Sequence, residues 1–485
     1  MIIEMLIANP AAGKTDAIIE HLLETNEFAV VASPSKTLSN QSYKKFIDNG
    51  GRAVLIDSSQ RLAQKTVGAA LDDAARQNIP VIFITHSALS LLDARKFSSY
   101  HLIVDEVPSL VEFKEYKLKS NYDYLAQFCE DTDDIKGLQP LTVKSSCKDV
   151  LETKLKDGAN GLDVIDEGLT ELYGALLDDR ITVMLKHTKG DRSNGSSVFY
   201  LDDTKVNGWR HFRKVTIAAA NLKDTFTGKV LEHYRDCKFI ESPLVSKLRF
   251  REYKNTNRVK IHVMTDLYRW SKYKSNNNGA FDRMVEYIKD RCGTNFLYTV
   301  NKSREASTQG IGVRVPYGAH GLNCYMDHTN VAVLFSYNLR EWEREVLQEM
   351  AVAAGLPKNE FTQARHVSDY LEPAFQLCLR CNLRHHDSTK EINLFVPDLC
   401  LAEYIQRYLP DAQIITECMI DTEVKKSPKR MTYQDHYRMT KDERRRFSAW
   451  SFRLRKKGVS FIMGDPKSDL MVQGWVNEQR DKYKG

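Results

Sequence analysis

The chain has 485 residues, of which 42% are hydrophobic and 28% charged, with 24 Gly and 13 Pro. That composition excludes disorder, collagen-like repeats and low-complexity scaffolds as the main architecture, and the length suits about two to four domains. No run reaches the ~18 apolar residues that span a bilayer. Glu4 and Lys14 stand where a signal peptide needs a basic start and small cleavage residues, so a soluble, cytoplasmic protein with no membrane partner is expected.

Nine cysteines are scattered without framework spacing, which suits reduced thiols rather than disulfides. The net charge is +6 and unevenly placed: Lys425 to Gly485 holds 17 Lys and Arg against 7 Asp and Glu, while the remainder holds 53 against 57. A basic C-terminal block of this kind is an electrostatic footprint for a polyanion.

In chain order, Ile2 to Ile7 is predicted to be a buried strand. A small-residue loop follows, closing on Ala12-Gly13-Lys14-Thr15, and then a helical pattern through Ala17, Ile18, Ile19, Leu22 and Leu23. Strand, loop and helix in that order form a phosphate cradle, because backbone N–H groups and the positive helix terminus converge on the β- and γ-phosphates of a nucleotide. Lys14 then supplies a point charge and the Thr15 hydroxyl a magnesium ligand, which implies ATP and Mg as cofactors. The competing reading is an ordinary strand-to-helix turn with a chance Gly-Lys-Thr. A second apolar run ends in Asp105-Glu106-Val107-Pro108. There Asp105 is suited to hold the metal and Glu106 to orient or deprotonate the attacking water.

Gly-Lys-Thr followed by Asp-Glu-Val-Pro resembles motifs I and II of the superfamily 2 helicases and translocases, the DEAD/DEAH-like group. The resemblance implies an α/β fold of two RecA-like parallel-sheet domains in tandem, with ATP between them, and it extends in order to about residue 400. Ser33-Pro34-Ser35-Lys36 resembles motif Ia and Thr85-His86-Ser87 motif Ic; in the family such loops touch the phosphates of a single strand, which positions without reading sequence. Val215 to Asn221 resembles motif III, with Ala-Ala-Ala-Asn where Ser-Ala-Thr is common. Phe296 to Lys302, with Thr299 and Asn301, is similar to motif IV, and His320-Gly321-Leu322-Asn323 to motif V. Gln376, Arg380 and Arg384 match motif VI, whose glutamine and arginines face the γ-phosphate from the second domain; spaced by four, they are predicted to share one helix face. The compact chain resembles a phage or viral replication helicase, which would place it in the bacterial host cytoplasm.

About 110 residues separate motifs II and III, so a helical and hairpin insertion is expected in the first domain. Leu162, Ile165, Leu169, Leu172 and Leu176 fit an amphipathic helix. Ile181 to Leu185 and Val198 to Leu201 fit a hairpin. Such an insertion either separates strands or grips a partner, such as a replication protein, or adds a packing layer to the first domain. In the basic helical C-terminal extension, Thr440-Lys441-Asp442-Glu443 is a capping box and Gly458 a helix stop, with Arg445 and Arg453 beside an apolar stripe of Phe447, Trp450 and Leu454. Nucleic acid is the expected partner there, against an acidic protein surface or a membrane surface. The expected division is 1–115 with 206–245, an insertion 116–205, a second domain 246–424 and the extension 425–485.

Cys378 and Cys381 form a CxxC, but they lie inside the motif VI match and no second pair completes a zinc site, so buried thiols are expected. The functional expectation is an ATP-dependent helicase or translocase on single-stranded or forked DNA, in replication or recombination. The alternatives are a viral DNA-packaging ATPase with a C-terminal nuclease, which needs an acidic cluster in the second half, and a non-motor nucleic-acid-binding P-loop protein.

Overall fold

The computed structural model describes residues 1–483 except 59–65, 110, 119–124, 131–137, 161–166, 188–195, 203, 272–278, 318–323, 386, 421–432, 457–458, 460 and 462–464. His320 and Asn323, the hairpin turn, Leu162, Ile165 and Gly458 lie outside the described residues. The chain divides into two compact units, Met1–Thr422 and Glu423–Gly485.

The first unit is built on two all-parallel sheets. Strands β1 (Ile2–Ile7), β2 (Ala29–Ser33), β3 (Ala53–Ile56), β4 (Val81–Thr85) and β5 (His101–Asp105) join β12 (Lys214–Ala219) and β13 (Lys238–Glu241) in the order β13-β1-β12-β5-β2-β4-β3. All their pairings are parallel. Parallel strands covered by helices on both faces read as continuous apolar runs, and every residue of β2, β4 and β5 is buried. The second sheet runs β16 (Val313–Arg314), β15 (Leu297–Val300), β17 (Asn330–Leu334), β18 (Ile392–Val396), β14 (Val259–Val263) and β19 (Gln413–Ile415). It too is parallel throughout. The chain thus makes two RecA-like lobes in tandem.

Between β5 and β12 stands the insertion, a four-stranded antiparallel sheet in the order β6 (Glu112–Lys117), β11 (Ser196–Asp202), β10 (Met184–His187) and β8 (Leu138–Pro140). Two further short strands, β7 (Cys129–Glu130) and β9 (Thr142–Val143), pair beside it. The strand pair 184–187 and 196–202 is antiparallel, with Met184 opposite Phe199. Side chains alternate across a strand, and here both faces are buried. Leu185, Val198 and Tyr200 pack on Leu172, Tyr173 and Leu176 of the helix Glu167–Leu177. Met184, Phe199 and Leu201 pack on Phe226 and Val230 of the first lobe and also on Val346, Leu347 and Met350 of the second-lobe helix Glu341–Ala353. The insertion is therefore not a layer on the first lobe alone. Its outer face is shared with the second lobe, a contact that neither sequence-based reading anticipated.

Phe199 lies 5.3 Å from the Trp342 ring and 5.9 Å from Phe113, and is 3% exposed. Truncating a buried aromatic of this kind costs about 3–5 kcal/mol. Phe199→Ala is accordingly expected to lower the urea midpoint of the Met1–Thr422 unit, and an unchanged midpoint would refute this packing role.

The second unit is a small helical cluster. Its core comprises Tyr433, Met439, Phe447, Val472, Trp475 and Val476, with Trp450 stacked on Trp475 at 5.3 Å. The capping box forms: the Thr440 amide donates to Glu443 Oε2 at 2.6 Å and the Glu443 amide to Thr440 Oγ1 at 3.3 Å. The helix it starts is Lys441–Lys456, with Arg445 and Arg453 exposed on its surface. Among the described residues no helix is long and apolar enough to cross a membrane.

Candidate nucleotide site

The strand β1 leads through a tight loop into the helix Lys14–Thr25. The loop turns through left-handed backbone at Ala11 (φ 67°) and Gly13 (φ 85°), while Ala8 keeps a negative φ. A side chain at Gly13 would also meet Arg249, whose Cγ lies 3.0 Å from the Cβ position. Gly13 is thus required both for its φ and for its space. Ala12 is fully buried beneath the loop. Lys14 is 7% exposed and its ammonium donates to the carbonyl of Ala8 at 2.9 Å.

Beside the loop, β5 ends at Asp105. Thr15 donates its hydroxyl to Asp105 Oδ2 at 3.3 Å. Burial, reinforced by the neighbouring Glu106 charge, raises the Asp105 carboxyl to about 7 against the opposing pull of Lys14. A hydroxyl and a buried carboxylate in contact are hard oxygen donors, and they fit a magnesium ion. Glu106 takes positive φ (66°), anchored by its amide, which donates to the Ala218 carbonyl of β12 at 2.7 Å. The Glu106 side chain meets the second lobe, where Gln376 Nε2 donates to Glu106 Oε2 at 3.1 Å.

The two lobes close around one cavity of about 830 Å³, lined by Gly13, Lys14, Thr15, Asp105 and Glu106 from the first and by Gln376, Arg380 and Arg384 from the second. The predicted shared helix face is corrected. The helix Glu372–Cys378 ends before Arg380, which sits in the turn that follows, and Arg384 closes a separate 3-10 turn, Asn382–Arg384. Leu379 leaves helical geometry, so convergence comes from chain reversal rather than from helical periodicity. Arg380 is 5% exposed, and burial followed by repulsion from Arg384 lowers its guanidinium to about 10. Arg384 donates Nε to the Leu379 carbonyl at 2.9 Å.

Sequence motifs give no sign of the segment Arg249 to Asn255, which crosses the phosphate loop. Arg249 donates its amide to the Ala12 carbonyl at 3.0 Å and pairs with Asp16, which also pairs with Lys45; the Tyr253 hydroxyl bonds the Pro10 carbonyl. The contacts of Arg249 and Tyr253 with the loop and Asp16 span more than 200 residues of sequence and carry no local signature.

The loops expected to touch a strand mostly spend their side chains internally. Ser35 caps the helix Lys36–Asp48 and Thr85 caps the turn His86–Leu89, because a hydroxyl at a strand-to-helix junction is drawn to the free amides of the first turn. Ser33, Thr85 and Thr299 are buried, and Thr299 donates to the Val315 carbonyl at 2.6 Å. His86 Nε2 lies 2.9 Å from the Asp105 carbonyl oxygen, behind the acidic pair. Asn301 joins its loop to Ser336, donating to its carbonyl at 2.8 Å and accepting from its amide at 3.0 Å. Lys36 is exposed. Cys378 and Cys381 are buried free thiols. Asp398 caps the helix Leu399–Tyr408 and Asp411 accepts from Thr256 at 2.8 Å, so each is committed to its own internal bond.

At the opposite end of the first sheet, His21 Nε2 and His101 Nδ1 each lie 2.8 Å from the same Glu27 oxygen, and Arg213 pairs with the other oxygen. Burial raises the Glu27 carboxyl, but the hydrogen bonds from His101 and His21 outweigh it and hold it well below the usual range. Burial lowers the His101 imidazole. Both groups bind protons more weakly folded than unfolded, so both contribute stability that is complete above ~6.5 and lost as pH falls through the ordinary histidine and then carboxylate values. The urea midpoint is expected to drop between pH 7.5 and 5, and the drop to widen in Glu27→Gln, which removes the carboxylate that opposes burial at His101; a midpoint flat across that range would contradict this.

No protein-family description and no curated protein matches the chain. Among solved structures it is similar to S. tokodaii Xpd4, at 10% identity over 85% of this chain and 96% of that one, with a TM-score of 0.45. It is also similar to S. cerevisiae Dbp5 bound to RNA and ADP BeF3, at 11% identity over 87% and 85% of the two chains, TM-score 0.34. A third is the DUF1998 helicase MrfA bound to DNA and AMPPNP, at 11% identity over 86% of this chain and 50% of that one, TM-score 0.29. The fold and site define a two-lobed, tandem RecA-like α/β protein whose Gly13-Lys14-Thr15 loop faces a cavity shared with its second lobe.

Proposed function

We propose that the chain is an ATP-dependent motor of the helicase and translocase class, moving in the cytoplasm on single-stranded or forked nucleic acid, DNA foremost, in replication or recombination. One observation carries this reading: Lys14, Thr15, Asp105 and Glu106 of one lobe and Gln376, Arg380 and Arg384 of the other line a single cavity. A phosphate loop alone supports binding; opposed arginines add what phosphoryl transfer needs, positive charge on oxygens that gain charge in the transition state.

In this mechanism Lys14 and the loop amides hold the phosphates. Magnesium, when bound by Thr15 and Asp105, supplies neutralisation of phosphate charge. Glu106 orients a water and accepts its proton, with Gln376 fixing the carboxylate. Arg380 stabilises the departing charge from the second lobe. Opening and closing of the cleft then alternates the grip of the two lobes on a strand.

The packaging-nuclease alternative calls for Asp398 and Asp411 to share metals, yet each is committed to a separate structural bond. The basic C-terminal unit is proposed to hold nucleic acid through Arg445, Arg453 and their neighbours. The test is ATP turnover with and without single-stranded DNA or RNA, beside unwinding of tailed duplexes. Strong stimulation is expected, and turnover indifferent to either strand would overturn the motor reading. Removing Arg445 and Arg453 together is expected to lower the slope of log affinity against log salt by about 1–2.

A further inference from the structure

The segment after β12 joins the two lobes. Ala220 is buried in the same apolar cluster as Phe375 and Tyr404 of the second lobe. The Phe226 amide donates to Ser368 Oγ at 2.8 Å, and Thr227 Oγ1 donates to the Pro108 carbonyl, just past the acidic pair, at 2.9 Å. Within this junction a polar chain crosses between the lobes. Asn221 Nδ2 donates to the Tyr404 hydroxyl at 3.2 Å, and that hydroxyl donates to Glu372 Oε1. Asn221 is itself held by a turn, its Oδ1 accepting from the Asp224 amide at 3.2 Å. Glu372, 7% exposed, begins the helix Glu372–Cys378 that presents Gln376 to Glu106.

We propose that Asn221, Tyr404 and Glu372 form a polar latch across the lobes that sets Gln376 and Arg380 against Glu106, making all three positioning residues for the reaction. The inference rests on the motor reading above and gives it a specific coupling element. The hydroxyls that the family commonly carries at motif III are alanines here, and a carboxamide one residue further on takes up the link: its Nδ2 donates both to Asp224 Oδ2 of its own turn at 3.1 Å and to the tyrosine of the second lobe. The chemistry suits a latch. A buried carboxyl without its donor is costly, so closing the lobes is favoured when the Tyr404 hydroxyl meets Glu372 and disfavoured when it cannot. Burial raises the Glu372 carboxyl to about 7, with the Tyr404 bond opposing and the Glu106 and Asp224 charges adding to it against Lys14.

The test uses the full chain with Mg-ATP and single-stranded DNA. Tyr404→Phe keeps the ring against Phe375, 6.1 Å away, and removes only the hydroxyl. Loss of one buried hydrogen bond in the closed state predicts a fall of about tenfold in kcat with KM for ATP within about twofold. Glu372→Gln retains an acceptor oxygen and is expected to keep near wild-type kcat, while Glu372→Ala falls as far as Tyr404→Phe. Hydrogen exchange reads the latch without turnover: amides of 219–225 and 372–378 should exchange faster in Tyr404→Phe, with the remainder of both sheets unchanged. Wild-type kcat and exchange in Tyr404→Phe, or Glu372→Gln as impaired as Glu372→Ala, would overturn the latch. A wild-type chain that hydrolyses no ATP would instead overturn the motor reading, and the exchange pattern alone would then judge the latch.

Discussion

Glu106→Gln is expected to lower ATP turnover by about 10²–10⁴-fold while leaving nucleotide affinity and thermal stability close to wild type. The change is nearly isosteric. Gln376 donates to Glu106 Oε2, and a glutamine carbonyl accepts that bond equally well, so the arrangement across the lobes survives. The amide anchor on Ala218 is made by backbone and is also retained. What disappears is a group able to take a proton from water. Rapid-quench turnover beside equilibrium binding of a fluorescent ATP analogue separates the two effects, and turnover near wild type would remove Glu106 from the chemistry.

Arg380→Ala is expected to cost about 10³-fold in kcat, the low end of what an arginine supplied to a phosphoryl-transfer site contributes. Arg380 is buried at the wall between the two lobes and no other described cation of the second lobe is as enclosed in this cavity except Arg384. Arg384 spends its Nε on the Leu379 carbonyl, so Arg384→Ala is expected to cost less and to act partly by loosening the turn that carries Arg380. Equal losses for the two variants would contradict this division. Because the phosphate loop belongs to the first lobe, ATP binding in Arg380→Ala should change only a few-fold.

Much of the architecture is legible in local sequence. The strand, loop and helix over residues 2–25 announce themselves because a buried parallel strand is apolar throughout and the loop's glycine is required by its left-handed backbone. The acidic pair at the end of β5 is legible for the same reason, and so is the capping box at Thr440, which depends on residues three apart. The hydroxyls of Ser35 and Thr85 show the limit of motif reading. The same residue types serve a helix cap or a phosphate contact, and only the neighbouring amides decide which.

The insertion shows another limit. Its helix and hairpin follow from spacing, but alternation along β10 and β11 says only that two faces differ, not what covers each. Phe199 and Trp342 meet although 143 positions separate them, and nothing local to either records the other.

By itself, then, the amino-acid order determined that this chain has a strand–loop–helix closing on Gly-Lys-Thr, an acidic pair, two α/β lobes and a basic tail, because each is set by patterns within a few turns or strands. Tertiary structure alone decided that Arg380 enters the loop's cavity from a turn rather than a helix, that Arg249 and Tyr253 brace that loop, that the insertion binds both lobes, and that Asn221, Tyr404 and Glu372 meet. These depend on surfaces brought together from distant segments, where burial and hydrogen-bond satisfaction, not local propensity, select the arrangement.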